Sequence, residues 1–120
     1  MKEVLKITKA LADENRLRII MIVKDREPCV CQIIEVLEFA PSTVSKHLSI
    51  LNEAGLIENY KRGRWIYYKL PDKPSDLVKS TLDWVMGNLE TSEVVQKDRM
   101  KVTSVCEQAP EEIARQQRVR

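Results

Sequence analysis

The chain has 120 residues, of which 43% are hydrophobic and 32% are charged, and its formal net charge is +2. This length suits a single domain, and this composition favours a globular protein over a disordered or a membrane protein. The chain has no apolar run near the roughly 20 residues that cross a bilayer, and its N-terminus lacks the apolar stretch of a secretion signal. We therefore expect a cytoplasmic location.

The first half of the chain predicts four helices separated by short breaks. Apolar residues recur there at three- and four-residue spacing, as on one face of a helix. The predicted helices run from Val4 to Leu11, from Glu14 to Val23, from Gln32 to Leu37, and from Pro41 to the stop at Gly55. Asp13 is expected to cap the second helix, and Ser42 or Thr43 to cap the fourth.

The second half predicts a hairpin, one further helix and a tail. Leu56 to Lys61 and Arg64 to Leu70 are rich in β-branched and aromatic residues, and Arg62-Gly63 joins them. The apolar stripe from Leu77 to Leu89 predicts a fifth helix. We assign residues 1–90 to one domain and residues 91–120 to a polar tail, which gives a mainly α fold with a β-hairpin.

The third and fourth predicted helices and the hairpin follow the order of a winged helix-turn-helix DNA-binding domain. The outer face of the fourth helix offers short polar and basic side chains to bases and phosphates, namely those of Ser42, Thr43, Ser45 and Lys46. The hairpin tip offers cations to the DNA backbone, namely Lys61, Arg62 and Arg64. His47 lies near the core edge, so core packing and a phosphate contact both remain open for it. A winged helix that contacts only proteins would not need the basic tip.

Cys29-Val30-Cys31 follows Pro28 at the start of the third helix. In a reducing compartment, three cysteines favour free thiols over a disulfide framework. Thiolates bind soft ions, and a helix N-terminus lowers the pKa of a thiol. Positions two apart on a helix point about 200° from each other. We therefore expect the two sulfurs to diverge, so that a shared ion would distort this turn and disturb the adjoining recognition helix.

Three segments carry a resemblance to the ArsR/SmtB family of metal-responsive repressors: Leu11 to Ile20, Ser42 to Ile57, and Arg62 to Tyr68. The resemblance covers about residues 4 to 90. It implies a homodimer that binds double-stranded operator DNA until an inducer arrives. It also implies dimer contacts through the first and fifth helices, which would account for a set of apolar side chains: Leu5, Leu82, Trp84, Val85 and Leu89.

Glu27 to Gln32 is similar to the inducer motif of the arsenic-sensing members. This similarity implies that Cys29 and Cys31 bind trivalent arsenic or antimony. The commonest motif has a third cysteine three residues after Cys31, where this chain has Ile34. The third ligand is then either solvent or a small molecule, or Cys106 folding back from the tail.

A redox switch, a sensor of another metal and an enzyme are the alternative functions. The thiol pair could be a redox switch that releases DNA when oxidised. Cadmium- and lead-sensing relatives carry additional cysteines near the N-terminus, whereas this chain has none before Cys29. Structural zinc needs four ligands, and the zinc and nickel sensors use a fifth-helix cluster in which Asp83 would lack a His partner. An enzyme is disfavoured because the Cys-x-x-Cys spacing of dithiol oxidoreductases does not occur.

Overall fold

The computed structural model describes residues 1–119, which form seven helices and one antiparallel hairpin. The elements in chain order are α1 (Lys2–Leu11), α2 (Glu14–Asp25), α3 (Val30–Leu37), α4 (Pro41–Glu53), β1 (Glu58–Arg62), β2 (Trp65–Lys69), α5 (Asp76–Leu89), α6 (Glu93–Val105) and α7 (Pro110–Val119). The mainly α fold with a β-hairpin is confirmed. In this described part of the chain, no helix is long and apolar enough to cross a membrane.

The core is centred on α2, as its nearly continuous apolar surface predicts. This helix packs against α1, α4, α5 and α6. The largest fully buried side chains come from α2, α3, α4, the segment before β1 and α7: Ile19, Ile20, Ile33, Leu48, Leu51, Leu56, Ile57 and Ile113. Burying one such side chain stabilises the fold by about 1.5 to 3 kcal/mol.

The start of α2 and the end of α4 agree with the sequence. The Asp13 carboxylate accepts hydrogen bonds from the backbone N–H groups of Asn15 and Arg16 at 2.8 and 3.2 Å, so it is the predicted cap. Gly55 has φ of 76°, the left-handed conformation that ends many helices. The next N–H, that of Leu56, returns to the carbonyl of Leu51 at 3.0 Å.

The cap of α4 differs from the expectation, although the helix begins at Pro41 as predicted. Ala40 is the N-cap residue and Pro41 takes the first helical position, where its missing N–H costs nothing. Ser42 and Thr43 therefore lie inside the first turn with exposed side chains, and their prediction as caps is wrong. Because neither hydroxyl caps the helix, both remain available for contact with a partner.

The hairpin turn is shifted by one residue from the predicted one. β1 continues through Arg62, which pairs with Trp65, so Gly63 and Arg64 form the two-residue turn. Gly63 has φ of 63°, a conformation that glycine adopts without steric cost.

The segment after residue 91 contains two helices. Val95, Val102 and Val105 of α6 are buried, and α6 packs against α2 and α3. Ile113 of α7 is fully buried, and α7 packs against α3. A thin apolar face therefore suffices to dock α7, while the division at residue 90 stays a prediction.

Candidate DNA-binding and thiol sites

The outer face of α4 is free for contact with a partner. Ser42, Thr43, Ser45 and Lys46 are exposed, whereas Val44, Leu48 and Leu51 on the other face are buried. α3 packs against α4 and brings the second helix of the helix-turn-helix into a fixed orientation. The four predicted contact residues thus share one accessible surface.

His47 lies at the edge of this surface and is half-buried. Its Nδ1 atom is 3.1 Å from the Arg16 guanidinium, which also donates to the carbonyls of Ala10 and Lys9 at 2.8 and 3.0 Å. Because a guanidinium only donates, Nδ1 accepts and the ring proton lies on Nε2. The packing role of His47 is therefore present in the structure, and its phosphate contact stays a prediction.

The hairpin tip presents its three cations to solvent, since Lys61, Arg62 and Arg64 are all exposed. The Arg62 guanidinium lies 5.6 Å from the centre of the Tyr67 ring, and that of Arg64 lies 5.2 Å from the Trp65 ring. Such contacts hold the cations beside the strands without neutralising them.

The two thiols of the Cys-x-Cys pair are in contact, and the expectation that they diverge is wrong. Cys29 precedes α3 as its N-cap residue with φ of −69° and ψ of 152°, so only Cys31 is helical. This extended backbone turns the Cys29 side chain towards its neighbour. The two Sγ atoms are 3.2 Å apart, with 0% of Cys29 and 4% of Cys31 exposed.

The two thiols of the pair have different pKa values. A hydrogen bond from the Cys31 thiol lowers the pKa of Cys29 to about 7, and backbone N–H groups in the first turn of α3 act in the same direction against desolvation. The pKa of Cys31 is raised, first because its proton is held by Cys29 and then by burial. Cys29 is therefore the nucleophilic thiolate of the pair near neutral pH.

The pair lies between the hairpin and α7. The Pro28 carbonyl accepts a hydrogen bond from the backbone N–H of Tyr68 at 3.0 Å, and Cys29 forms a β-bridge with Tyr67. On the other side, the Sγ of Cys31 is 3.7 Å from the carbonyl oxygen of Pro110. The thiol segment thus extends the base of the wing.

Cys106 is the C-cap residue of α6 and is half-buried. Burial raises the pKa of its thiol. Across residues 1–119, no group of three or more His, Cys, Asp or Glu side chains is arranged to hold a metal ion. The structure therefore brings Cys29 and Cys31 together without Cys106, whose role as third ligand stays a prediction. Two adjacent sulfurs with a thiolate near neutral pH fit a soft ion as two of its ligands.

Two side chains outside the predicted set hold the thiol pair. The Gln32 side chain accepts a hydrogen bond from the backbone N–H of Cys29 at 2.8 Å, and its position three residues after the N-cap is the capping-box spacing. The Gln117 side chain donates to the carbonyl of Cys31 at 2.9 Å. No local sequence pattern signals Gln117, because its partner is 86 positions away.

Exposed apolar side chains on α1 and α5 form a third candidate contact surface. Leu5 is 47% exposed and Trp84 is 64% exposed, and both are large apolar side chains. Leu82 and Val85, which the resemblance also linked to the dimer, are instead buried in the chain's own core. The apolar stripe of α5 therefore divides between the core and an uncovered face.

Comparison with known proteins identifies the family. Residues 13–59 match the model of the bacterial regulatory protein, arsR family. The chain is 30% identical over 109 residues to the arsenic resistance transcriptional regulator ArsR1 of Pseudomonas putida, covering 90% of this chain and 84% of that one. It is 35% identical over 72 residues to a cadmium resistance regulatory protein CadC homolog of Staphylococcus aureus, covering 59% and 60% of the two chains.

Among solved structures, the fold is similar to the homodimeric winged helix-turn-helix DNA-binding domain of Mb0332 from Mycobacterium bovis. The TM-score is 0.61 at 27% identity, and the match covers 74% of this chain and 82% of the other. Together with the two helices, the basic hairpin and the family match, this likeness establishes the winged helix-turn-helix fold. The chain therefore belongs to the ArsR/SmtB family of winged helix-turn-helix transcriptional repressors.

Proposed function

We propose that this protein is a cytoplasmic homodimeric repressor that leaves its operator when Cys29 and Cys31 capture trivalent arsenic or antimony. The observation that carries the proposal is the 3.2 Å contact between two buried thiols at the start of the first helix of the helix-turn-helix. The similarity to an arsenic resistance regulator over most of both chains supports this inducer. The similarity to a cadmium regulator keeps cadmium as the competing one.

The outer face of α4 and the hairpin tip bind the operator. Ser42, Thr43 and Ser45 have short side chains that allow α4 deep into the major groove, and Lys46 neutralises a phosphate. Lys61, Arg62 and Arg64 contact the neighbouring backbone or minor groove. His47 contributes its Nε2–H to the same edge.

Dimerisation places two such units on the two halves of a palindrome. The exposed apolar side chains of α1 and α5, Leu5 and Trp84 among them, offer a surface that can be buried against a second copy. A two-fold dimer presents its recognition helices about 34 to 36 Å apart, one turn of DNA.

In capture of arsenite, the Cys29 thiolate first displaces one hydroxide, and the Cys31 thiol then displaces a second hydroxyl as water with its own proton, so that both sulfurs bind one ion. The sulfurs need not converge from opposite sides of a helix, so release does not depend on unwinding α3. It depends instead on what surrounds the pair: α3 packs on α4, and Pro28 and Cys29 are bonded to β2. A coupling of about 1 to 3 kcal/mol would weaken operator binding about 5- to 150-fold.

The decisive experiment is an operator-binding titration with arsenite. Wild type should bind and then dissociate as arsenite rises. Cys29→Ser and Cys31→Ser should bind equally well and stay bound. Cys106→Ser is the matched control: a normal response assigns the third position to solvent or a small-molecule thiol, and a lost response assigns it to Cys106. If both Cys29→Ser and Cys31→Ser respond like wild type, the thiol assignment is wrong. The same titration with a cadmium salt in place of arsenite distinguishes the two inducers.

A redox switch is the second candidate, because the same contact suits oxidation. The Cys29 thiolate would attack a peroxide oxygen, releasing hydroxide and forming a sulfenic acid. The Cys31 thiol would then displace the sulfenic oxygen as water and form the disulfide. Release by peroxide and not by arsenite would favour this function over the first.

A further inference from the structure

The helix α7 contacts both the inducer thiols and the wing. The Gln117 amide donates to the Cys31 carbonyl at 2.9 Å and to the Glu35 carboxylate at 3.2 Å. At the other end of the helix, the Trp65 indole N–H donates to the Glu111 carboxylate at 3.1 Å. Buried Ile113 lies between these two contacts.

We propose that Gln117 and Glu111 are positioning residues for induction, which hold α7 over Cys31 and against the wing so that inducer capture must displace α7. This inference rests on the proposed function and specifies how that site is regulated. The family model that matches residues 13–59 ends well before α7, so α7 is not part of the region that this model describes.

The burial of the pair explains why α7 has to move. Sulfurs in contact at 3.2 Å leave no room between them, so a shared ion with bonds of about 2.3 Å must lie beside the pair. Cys29 is fully buried and Cys31 is 4% exposed, so that space is occupied by neighbouring atoms. Pro110, the first residue of α7, has its carbonyl oxygen 3.7 Å from the Cys31 sulfur. Displacing this residue opens the site from the α7 side.

The contact with the wing explains the consequence for DNA. Trp65 pairs with Arg62 at the tip of the hairpin and carries the Arg64 guanidinium 5.2 Å above its ring. When α7 moves, Trp65 loses its hydrogen bond to Glu111. The two predicted phosphate-binding arginines then lose a fixed support. Capture of the inducer at Cys31 therefore also loosens the wing, because both depend on the position of α7.

The test compares isosteric variants in the full chain. Gln117→Met keeps the length of the side chain and removes the amide donor. Gln116→Met on the exposed side of α7 is its matched control. Loss of one such bond should lower the arsenite concentration for half-release about 2- to 10-fold, while affinity for the operator without arsenite stays within about twofold. Glu111→Ala should lower the arsenite midpoint as well and, because it removes the wing contact of Trp65 itself, should also weaken operator binding without arsenite.

Two further measurements separate the possible outcomes. In a Cys106→Ser background, the Cys29–Cys31 pair of Gln117→Met should react faster with a disulfide reagent than the pair of Gln116→Met. An unchanged arsenite midpoint and unchanged thiol reactivity would overturn the inference, as would a loss of operator affinity without any shift in midpoint. If wild type itself fails to bind DNA or to respond to arsenite, the proposed function fails instead.

Discussion

The thiol of Cys31 donates a hydrogen bond to the sulfur of Cys29 across 3.2 Å, and this contact separates the acidities of two otherwise similar groups. The pKa of Cys29 falls to about 7, while that of Cys31 rises. One member of the pair is ionised near neutral pH, and the other keeps its proton.

We expect this contact to be visible in the pH dependence of thiolate absorbance. In a Cys106→Ser background, Cys29 should ionise near pH 7, because stabilising the anion moves the transition to lower pH. Cys31→Ala removes the donor and should move the transition upward. Cys31→Ser keeps a hydroxyl donor and should shift it less. A Cys31→Ala transition at or below pH 7 would contradict the assignment.

The contribution of α6 to stability can be measured at the ion pair between Arg18 and Asp98. The guanidinium donates to both carboxylate oxygens at 2.8 and 2.9 Å, and Asp98 is 7% exposed. Asp98→Ala should lower the free energy of unfolding by about 2 to 3 kcal/mol, because a charged hydrogen-bond network is lost inside the protein. Urea denaturation with an unchanged m-value would measure it.

The control for that loss is Asp72→Ala. Asp72 pairs with Lys69 at 2.6 Å, but its side chain is 69% exposed. Solvent screens such a pair, so the change in unfolding free energy should be small. Equal losses at both sites would show that α6 does not depend on the Arg18–Asp98 contact.

The dimer face predicts a change in assembly. Trp84→Glu places a charge on the exposed apolar side of α5 and should give a monomer in sedimentation velocity. Operator affinity should fall about 100-fold or more, because the two half-sites are no longer bound together. Met100→Glu is the control, since Met100 on α6 is also a large apolar residue, with 76% exposure. Dimers of Trp84→Glu would place the interface elsewhere.

The DNA-binding surface predicts a change in salt dependence. Lys46→Ala and Arg62→Ala should each reduce the slope of log affinity against log salt concentration by about 1, the release expected for one phosphate contact. Lys97→Ala, at an exposed position on α6, should leave the slope unchanged. Fluorescence anisotropy with labelled operator at several salt concentrations measures all three. Unchanged slopes at Lys46 and Arg62 would remove these residues from the interface.

Much of the fold is written in local sequence patterns. Helical periodicity, the Asp13 cap and the Gly55 stop all act within a few residues, so α1 to α5 and the hairpin follow from neighbours in the chain. The same holds for the polar face of α4 and the basic hairpin tip, because residue type and spacing alone decide which side chains face outward there. Two errors were also local: Pro41 displaced the caps of α4, and Gly63 moved the turn by one residue.

The geometry of the thiol site was decided by tertiary structure. Residue type and position alone predict two soft ligands at the start of the helix-turn-helix. Only the packed chain determined that Cys29 is extended, because its neighbours Pro28 and Tyr68 share a hydrogen bond that adds this segment to the wing. The contacts of Gln117 with Cys31 and of Glu111 with Trp65 join residues 86 and 46 positions apart. Such contacts depend on how helices pack in three dimensions, which no short-range pattern of side chains encodes.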